Sequence, residues 1–133
     1  MTEAMVQLAR KNALDAGVAN VEFLLGTMEF IPLPDDSVDV VISNCVINLA
    51  ANKDLVLREA YRVLKKGGKL AVFDIVLSVD APESIHEEMK LWTGCVAGAL
   101  SVEDYTLKLH GAGFEEVTVE AIRIYTQTDV KPT

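Results

Sequence analysis

Hydrophobic and polar positions alternate along the chain in blocks of two different periods. Near the start, Met5, Leu8 and Ala9 recur at helical spacing, with Thr2 placed to cap the helix and Gly17 to end it. A short β run over 21–25 predicts a strand. The segment 26–37, broken by Pro32 and Pro34, reads as a loop. Residues 38–43 are rich in β-branched side chains and apolar on both faces, as a central parallel strand should be. Val56, Ala60, Val63 and Leu64 then mark one face of a helix over 53–64. Lys65-Lys66-Gly67-Gly68 predicts a tight stop, and 69–77 a second buried strand.

Beyond Pro82, Ile85, Met89, Trp92 and Val96 return to helical spacing. Ser101 caps a further short helix, with Asp104 completing an imperfect capping box, and Gly111-Ala112-Gly113 breaks it. Residues 115–125 predict one long strand or two joined by a turn, followed by a frayed tail from Gln127. Alternation of helix and strand, without repeats or low-complexity segments, points to an α/β fold with a mostly parallel sheet.

Composition narrows the function. Of 133 residues, half are hydrophobic, which supports a real core; 20 acidic against 12 basic side chains give a net charge of -8. That balance argues against nucleic acid and against an anionic membrane surface as partners. No stretch is long and apolar enough to span a bilayer, and the polar amphipathic start does not resemble a signal peptide. A cytoplasmic chain is expected, with Cys45 and Cys95 as thiols. Two cysteines without clustered histidine do not make a zinc site, and His86 and His110 read as surface residues.

Three segments together carry a family resemblance. Leu33-Pro34-Asp35-Asp36-Ser37-Val38-Asp39-Val40-Val41 resembles the entry to the fourth strand of methyltransferases related to the ubiquinone and menaquinone biosynthesis enzymes. Arg62-Val63-Leu64-Lys65-Lys66-Gly67-Gly68-Lys69-Leu70 resembles the helix-to-fifth-strand turn of class I methyltransferases. Ser43-Asn44-Cys45-Val46-Ile47-Asn48-Leu49 and Gly94-Cys95-Val96-Ala97-Gly98-Ala99-Leu100-Ser101, with their cysteines fifty residues apart, resemble the two cysteine segments of the arsenite methyltransferases.

The resemblance implies a class I (Rossmann-like) sheet with helices on both faces, lacking its first two strands. It divides the chain into a partial methyltransferase domain over 1–126 and a tail over 127–133. It also implies transfer of a methyl group from S-adenosyl-L-methionine to trivalent arsenic held by Cys45 and Cys95. In such enzymes a glycine-rich loop, an acidic residue for the ribose and a further cysteine lie ahead of the position matching Met1. Gly26, Thr27, Met28 and Glu29, with Asn44, are the residues the resemblance places along the cofactor. The residues alone leave other readings open. Cys45 can be a small core residue, Cys95 a helix-packing residue among small neighbours, Met28 a core methionine and Glu29 a solvated loop glutamate. Function divides in the same way. The chain can be a non-catalytic domain that at most binds arsenite, or a methyltransferase for a small quinone-like substrate.

Loss of two central strands leaves edges unpaired, which is costly. Two remedies are expected: 21–25 shifts to pair with 38–43, or two chains associate as a homodimer. The second is favoured, because it satisfies the backbone without re-routing the chain.

Overall fold

The computed structural model describes residues 2–78 and 98–124. Its first element, α1 (Glu3–Asp15), is capped as expected: the Thr2 hydroxyl accepts the Met5 N–H at 3.3 Å. Gly17 turns away with φ of +69°. The centre of the fold is a β-α-β unit. Strand β1 (Val38–Asn44) runs parallel to β2 (Leu64–Phe73), and α2 (Lys53–Val63) makes the crossover. A single 3-10 turn, Ile47–Leu49, follows β1. Helix α3 (Val102–Ala112) packs on α2. Its cap is the expected Ser101, whose hydroxyl accepts the Asp104 N–H.

Strand β2 begins earlier than the sequence pattern suggests and ends earlier too. The Lys-Lys-Gly-Gly segment does not stop the chain; it bulges within the strand. Register runs Val38 to Leu64 and then jumps, pairing Val40 with Lys69. Gly67 takes φ of +81°, and a Cβ on Gly68 would lie 2.8 Å from the Lys65 carbonyl and 2.9 Å from that of Asp39. Glycine is required there by close backbone approach.

Paired residues of parallel strands share a face, so Val41, Ser43, Leu70 and Val72 look one way. Leu70 and Val72 pack there against a core of Ile47, Ala50, Val56, Leu57 and Tyr105. On the opposite face Val40, Ile42 and Phe73 are 53%, 71% and 51% exposed. Among the described residues β1 has one partner, β2, and so keeps an unpaired edge.

Two predicted strands are absent. Residues 21–25 make no strand pairing among the described residues and are tied to α1 by the Arg10 guanidinium, which donates to the Phe23 carbonyl at 2.8 Å. The shift of this segment onto β1 therefore does not occur. Residues 115–124 carry no strand either. Both segments are apolar enough for a strand, but among the described residues neither has a neighbour to complete one. The expected helix through Ile85, Met89, Trp92 and Val96, with His86 and Cys95, lies outside the described residues, as do Tyr125 and the tail.

The proline loop is fastened to α2 by one cluster. Arg62 donates to the carbonyls of Ile31 and Leu33 and to Asp35, at 3.0, 2.9 and 2.7 Å. Glu59 accepts from Arg62 and from the Ile31 N–H at 2.9 Å. The Arg62 hydrogen bond, aided by the Ile31 N–H and the Arg62 charge, outweighs partial desolvation and holds the Glu59 carboxyl below its ordinary value.

A carboxyl held low in the folded state stabilises fully above the ordinary carboxylate range and loses that contribution as pH falls through its lowered value. The melting-temperature gap between the wild-type chain and Glu59→Gln should therefore be largest near neutrality and close in acid. A gap that stays constant into acid would show that Glu59 adds nothing through its charge. Gly68→Ala should lower stability by roughly 1–3 kcal/mol, the usual cost of overpacking, measured by denaturant unfolding.

Candidate functional site

Parallel strands joined by a crossover end at the same edge, and open α/β sheets bind their ligands there. At that edge the chain gathers its unusual features. Cys45 directly follows β1, half-buried, with φ of +65°. Left-handed backbone at a residue other than glycine costs about 1–2 kcal/mol and persists where the surroundings enforce it. Here the constraint is visible: the Cys45 N–H donates to the Phe73 carbonyl at 2.9 Å, fastening it to the end of β2. Asn44, beside it, is exposed.

Four further polar residues come to this edge. Asn48, in the 3-10 turn, is 2% exposed and donates from Nδ2 to the Ile75 carbonyl at 2.9 Å. Asp74, the residue after β2, accepts the Tyr105 hydroxyl on Oδ2 at 2.7 Å. Its Oδ1 is buried and has no hydrogen-bond partner among the described residues, and the same is true of Ser43 Oγ. Burial, then the hydrogen bond from Tyr105 to Asp74, pushes the Tyr105 hydroxyl far up, so the phenol keeps its proton and donates it. Tyr105 reaches this edge because the Leu77 N–H bonds the Leu100 carbonyl at 2.9 Å, bringing the chain after β2 beside the start of α3.

The turn at 26–29 arrives from the other side. The Phe30 N–H closes on the Thr27 carbonyl at 3.2 Å, and Gly26 sits so near Pro32 that a Cβ would lie 2.7 Å from its Cδ. Met28 packs against the core cluster that contains Ile47 and Tyr105, while Glu29 is half-buried and Thr27 exposed. The fold thus brings Met28 and the segment after β1 to one region. Cys95 lies outside the described residues. His110 is exposed, as the sequence suggested, with Nδ1 3.0 Å from the Phe114 carbonyl. A recess of about 260 Å³ lies elsewhere, between α2 and α3, lined by Asp54, Arg58 and Lys108 among others. The Lys108–Asp54 ion pair occupies its wall at 3.0 Å.

Sequence reasoning found Cys45 and Asn44 but missed Asp74 and Tyr105. The available signal was an aspartate at the carboxyl end of a buried strand, the same positional clue that drew attention to Cys45.

A β-α-β unit with its polar and strained residues at the carboxyl ends of parallel strands is the substrate-edge architecture of a class I methyltransferase. The chain belongs to the family described as methyltransferase domain, which it matches over residues 1–124. It is similar to the arsenite methyltransferase of Halobacterium salinarum, 44% identical over 119 residues that make up 90% of this chain and 30% of that protein. It is also similar to the arsenite methyltransferase of Homo sapiens, 37% identical over 123 residues, covering 86% of this chain and 33% of that protein. Among solved structures it resembles an arsenic(III) S-adenosylmethionine methyltransferase from Chlamydomonas reinhardtii. The TM-score is 0.70 with 35% identity, over 85% of this chain and 41% of that one. The chain spans about a third of the length of these curated relatives.

The left-handed Cys45 gives a direct test of strain. Cys45→Gly should be at least as stable as the wild-type chain, and Cys45→Val less stable by about 1–3 kcal/mol. Equal stability of all three in denaturant unfolding would mean that the backbone at 45 relaxes freely.

Proposed function

We propose that the chain is the arsenic-holding part of an arsenite methyltransferase, with Cys45 and Cys95 as thiolate ligands of trivalent arsenic, the substrate. The observation that carries this is the position of Cys45. It is a strained, half-buried cysteine at the ligand edge of a parallel sheet, in a chain whose relatives bear that name. Trivalent arsenic is soft, and thiolates are its natural partners. Its lone pair carries no proton, so methylation needs no general base. The task of the protein is to hold arsenic with that lone pair unobstructed, and positioning supplies most of the effect.

S-adenosylmethionine, when bound, supplies an electrophilic methyl group. The fit of the described residues to it is one-sided. Met28 offers an apolar surface beside the core, flanked along the chain by Thr27 and Glu29, which suits an adenine. Gly26 lies against Pro32, where a side chain would clash. Among the described residues no glycine-rich turn or carboxylate stands ready for the methionine end or the ribose. Cofactor binding therefore draws on further groups. No helix among the described residues is long and apolar enough to cross a membrane. A cytoplasmic setting, where both thiols stay reduced, goes with this proposal.

Arsenite titrated onto the purified chain should bind through thiols. Cys45→Ser and Cys95→Ser should each weaken it by ~100-fold or more, since losing one of two linked ligands removes the gain in effective concentration. Unchanged affinity in Cys45→Ser would instead favour a small organic substrate and a packing role for the cysteine. S-adenosylmethionine should bind this chain no tighter than roughly millimolar; micromolar binding would mean that the site is completed by refolding of this chain or by a second copy.

A homodimer through the open edge of β1 completes the proposal. An antiparallel pairing centred on Val41 sets Val40 opposite the partner's Ile42, so two exposed apolar residues cover each other. The chain should elute at twice its 14.5 kDa mass, and Ile42→Lys, a charge on that edge, should return it to monomer. A wild-type monomer in light scattering would overturn this arrangement.

A further inference from the structure

The chain between Gly26 and Asp35 runs in two halves, secured by different means. The second half, 31–35, is gripped from α2. Arg62 donates to the carbonyls of Ile31 and Leu33 and to the Asp35 carboxylate, and Glu59 accepts the Ile31 N–H. Arg62 and Glu59 also bind each other through two hydrogen bonds, at 2.7 and 2.9 Å. The Glu59 side chain is only 15% exposed, so the pair is better shielded than an ordinary surface ion pair. A guanidinium is a rigid fork, and this one bridges three points of the loop at once. Fastening the segment in this way removes freedom that it would otherwise lose on binding a ligand, which is preorganisation.

The first half, 26–30, carries the residues proposed to lie along an adenine. It closes on itself where the Phe30 N–H meets the Thr27 carbonyl. Two contacts fix where this turn sits. Met28 packs against the core cluster. Gly26 lies against the Pro32 ring, where an added Cβ would come within 2.7 Å of Cδ and 3.1 Å of Cγ. Pro32 stands between Ile31 and Leu33, the two residues whose carbonyls Arg62 holds. Its ring locks φ and so passes the position of the clamped segment on to Gly26 with little slack. The turn therefore rests on a segment whose place is dictated by α2.

We propose that the Glu59–Arg62 pair positions the turn 26–30 for an adenine nucleoside, acting through Pro32 and Gly26, so that nucleoside affinity depends on a pair that does not touch the nucleoside. The inference rests on the adenine role proposed for Met28 and its chain neighbours. Met28 makes the contact; Glu59 and Arg62 are positioning residues.

The probe is adenosine, titrated onto the full chain and read by saturation-transfer NMR at its adenine protons. Arg62→Lys keeps the charge, but a single ammonium cannot hold Ile31, Leu33 and Asp35 together. It should weaken adenosine by about tenfold, as for a turn left in its competent form about a tenth of the time. Pro32→Ala leaves the clamp in place and removes the ring on which Gly26 rests; it should weaken adenosine by a similar factor. Combined, the two changes should weaken it little more than either alone, because both break one path. Lys108→Gln breaks a different ion pair of α2, the one to Asp54, and should leave adenosine within about twofold. Affinities are compared at a temperature where every variant is folded by circular dichroism, so that lost stability is not read as lost binding.

Unchanged adenosine affinity in Arg62→Lys, or equal weakening in Lys108→Gln, overturns the proposal. Should Arg62→Lys fail to fold, hydrogen exchange on the wild-type chain decides. By reciprocity adenosine must tighten the clamp, slowing exchange of the Ile31 amide together with that of Phe30. Slowing at Phe30 alone overturns the proposal. Failure of the adenine role shows separately, as no transfer to the adenine protons in the wild-type chain, and takes this inference with it.

Discussion

The parallel pairing of β1 with β2 is the constraint on which the rest depends. Parallel strands cannot be joined by a tight turn; a crossover helix must carry the chain back, and it covers one face of the sheet as it does so. In this chain α2 has that task. Its buried residues Val56, Leu57, Ala60 and Val63 form the surface on which α3 also settles. The same pairing brings both carboxyl ends to one edge, so Cys45 and Asp74, each the residue after its strand, come to that edge although 29 positions separate them. Fold and candidate site are two consequences of one hydrogen-bonded ladder. The bulge at Lys65 to Gly68 adjusts that ladder at its start. It takes up the extra residues between helix and strand without disturbing the register that matters further on.

Local signals were legible and non-local ones were not. Caps at Thr2 and Ser101 were readable because a hydroxyl and the amide it accepts lie three residues apart. Helix α2 and strand β1 were placed to within a residue, since periodicity is a property of the segment itself. Residues 21–25 and 115–124 misled because a strand is defined by a neighbour as much as by its own side chains. The Lys-Lys-Gly-Gly segment misled for the opposite reason. Its turn chemistry is real, but the partner strand absorbs the turn as a bulge. At the site, Cys45 could be found from its place at a strand end. The Asp74–Tyr105 contact spans 31 residues and joins a strand end to a helix face, a pairing that no periodicity announces.

The two faces of the sheet differ in how completely they are used. One is sealed by α2 and α3 around Leu57 and Tyr105. The other presents Val40, Ile42 and Phe73, and apolar side chains of that size on an open β-surface favour association. The acidic surface works against it, since copies carrying a charge of -8 repel one another. Repulsion between exposed charges is screened by salt, whereas apolar contact is not. Any association through this face should therefore tighten as ionic strength rises.

Tyr105 shows how closely stability and chemistry are joined here. Its ring is a core residue, packed among Ile47, Ala50, Val56 and Leu57. Its hydroxyl reaches the edge and holds Asp74. Buried polar pairs of this kind are costly unless every member is satisfied, and this one is satisfied on only one carboxylate oxygen. A chain selected for stability alone would do as well with leucine and phenylalanine in these places, since removing both partners is nearly neutral. Retaining the pair with one oxygen open, next to a cysteine kept in a strained conformation, concentrates two local costs at a single strand edge. Strain and unsatisfied polarity placed together at the ligand edge of a parallel sheet are the mark of a site prepared for something that binds there.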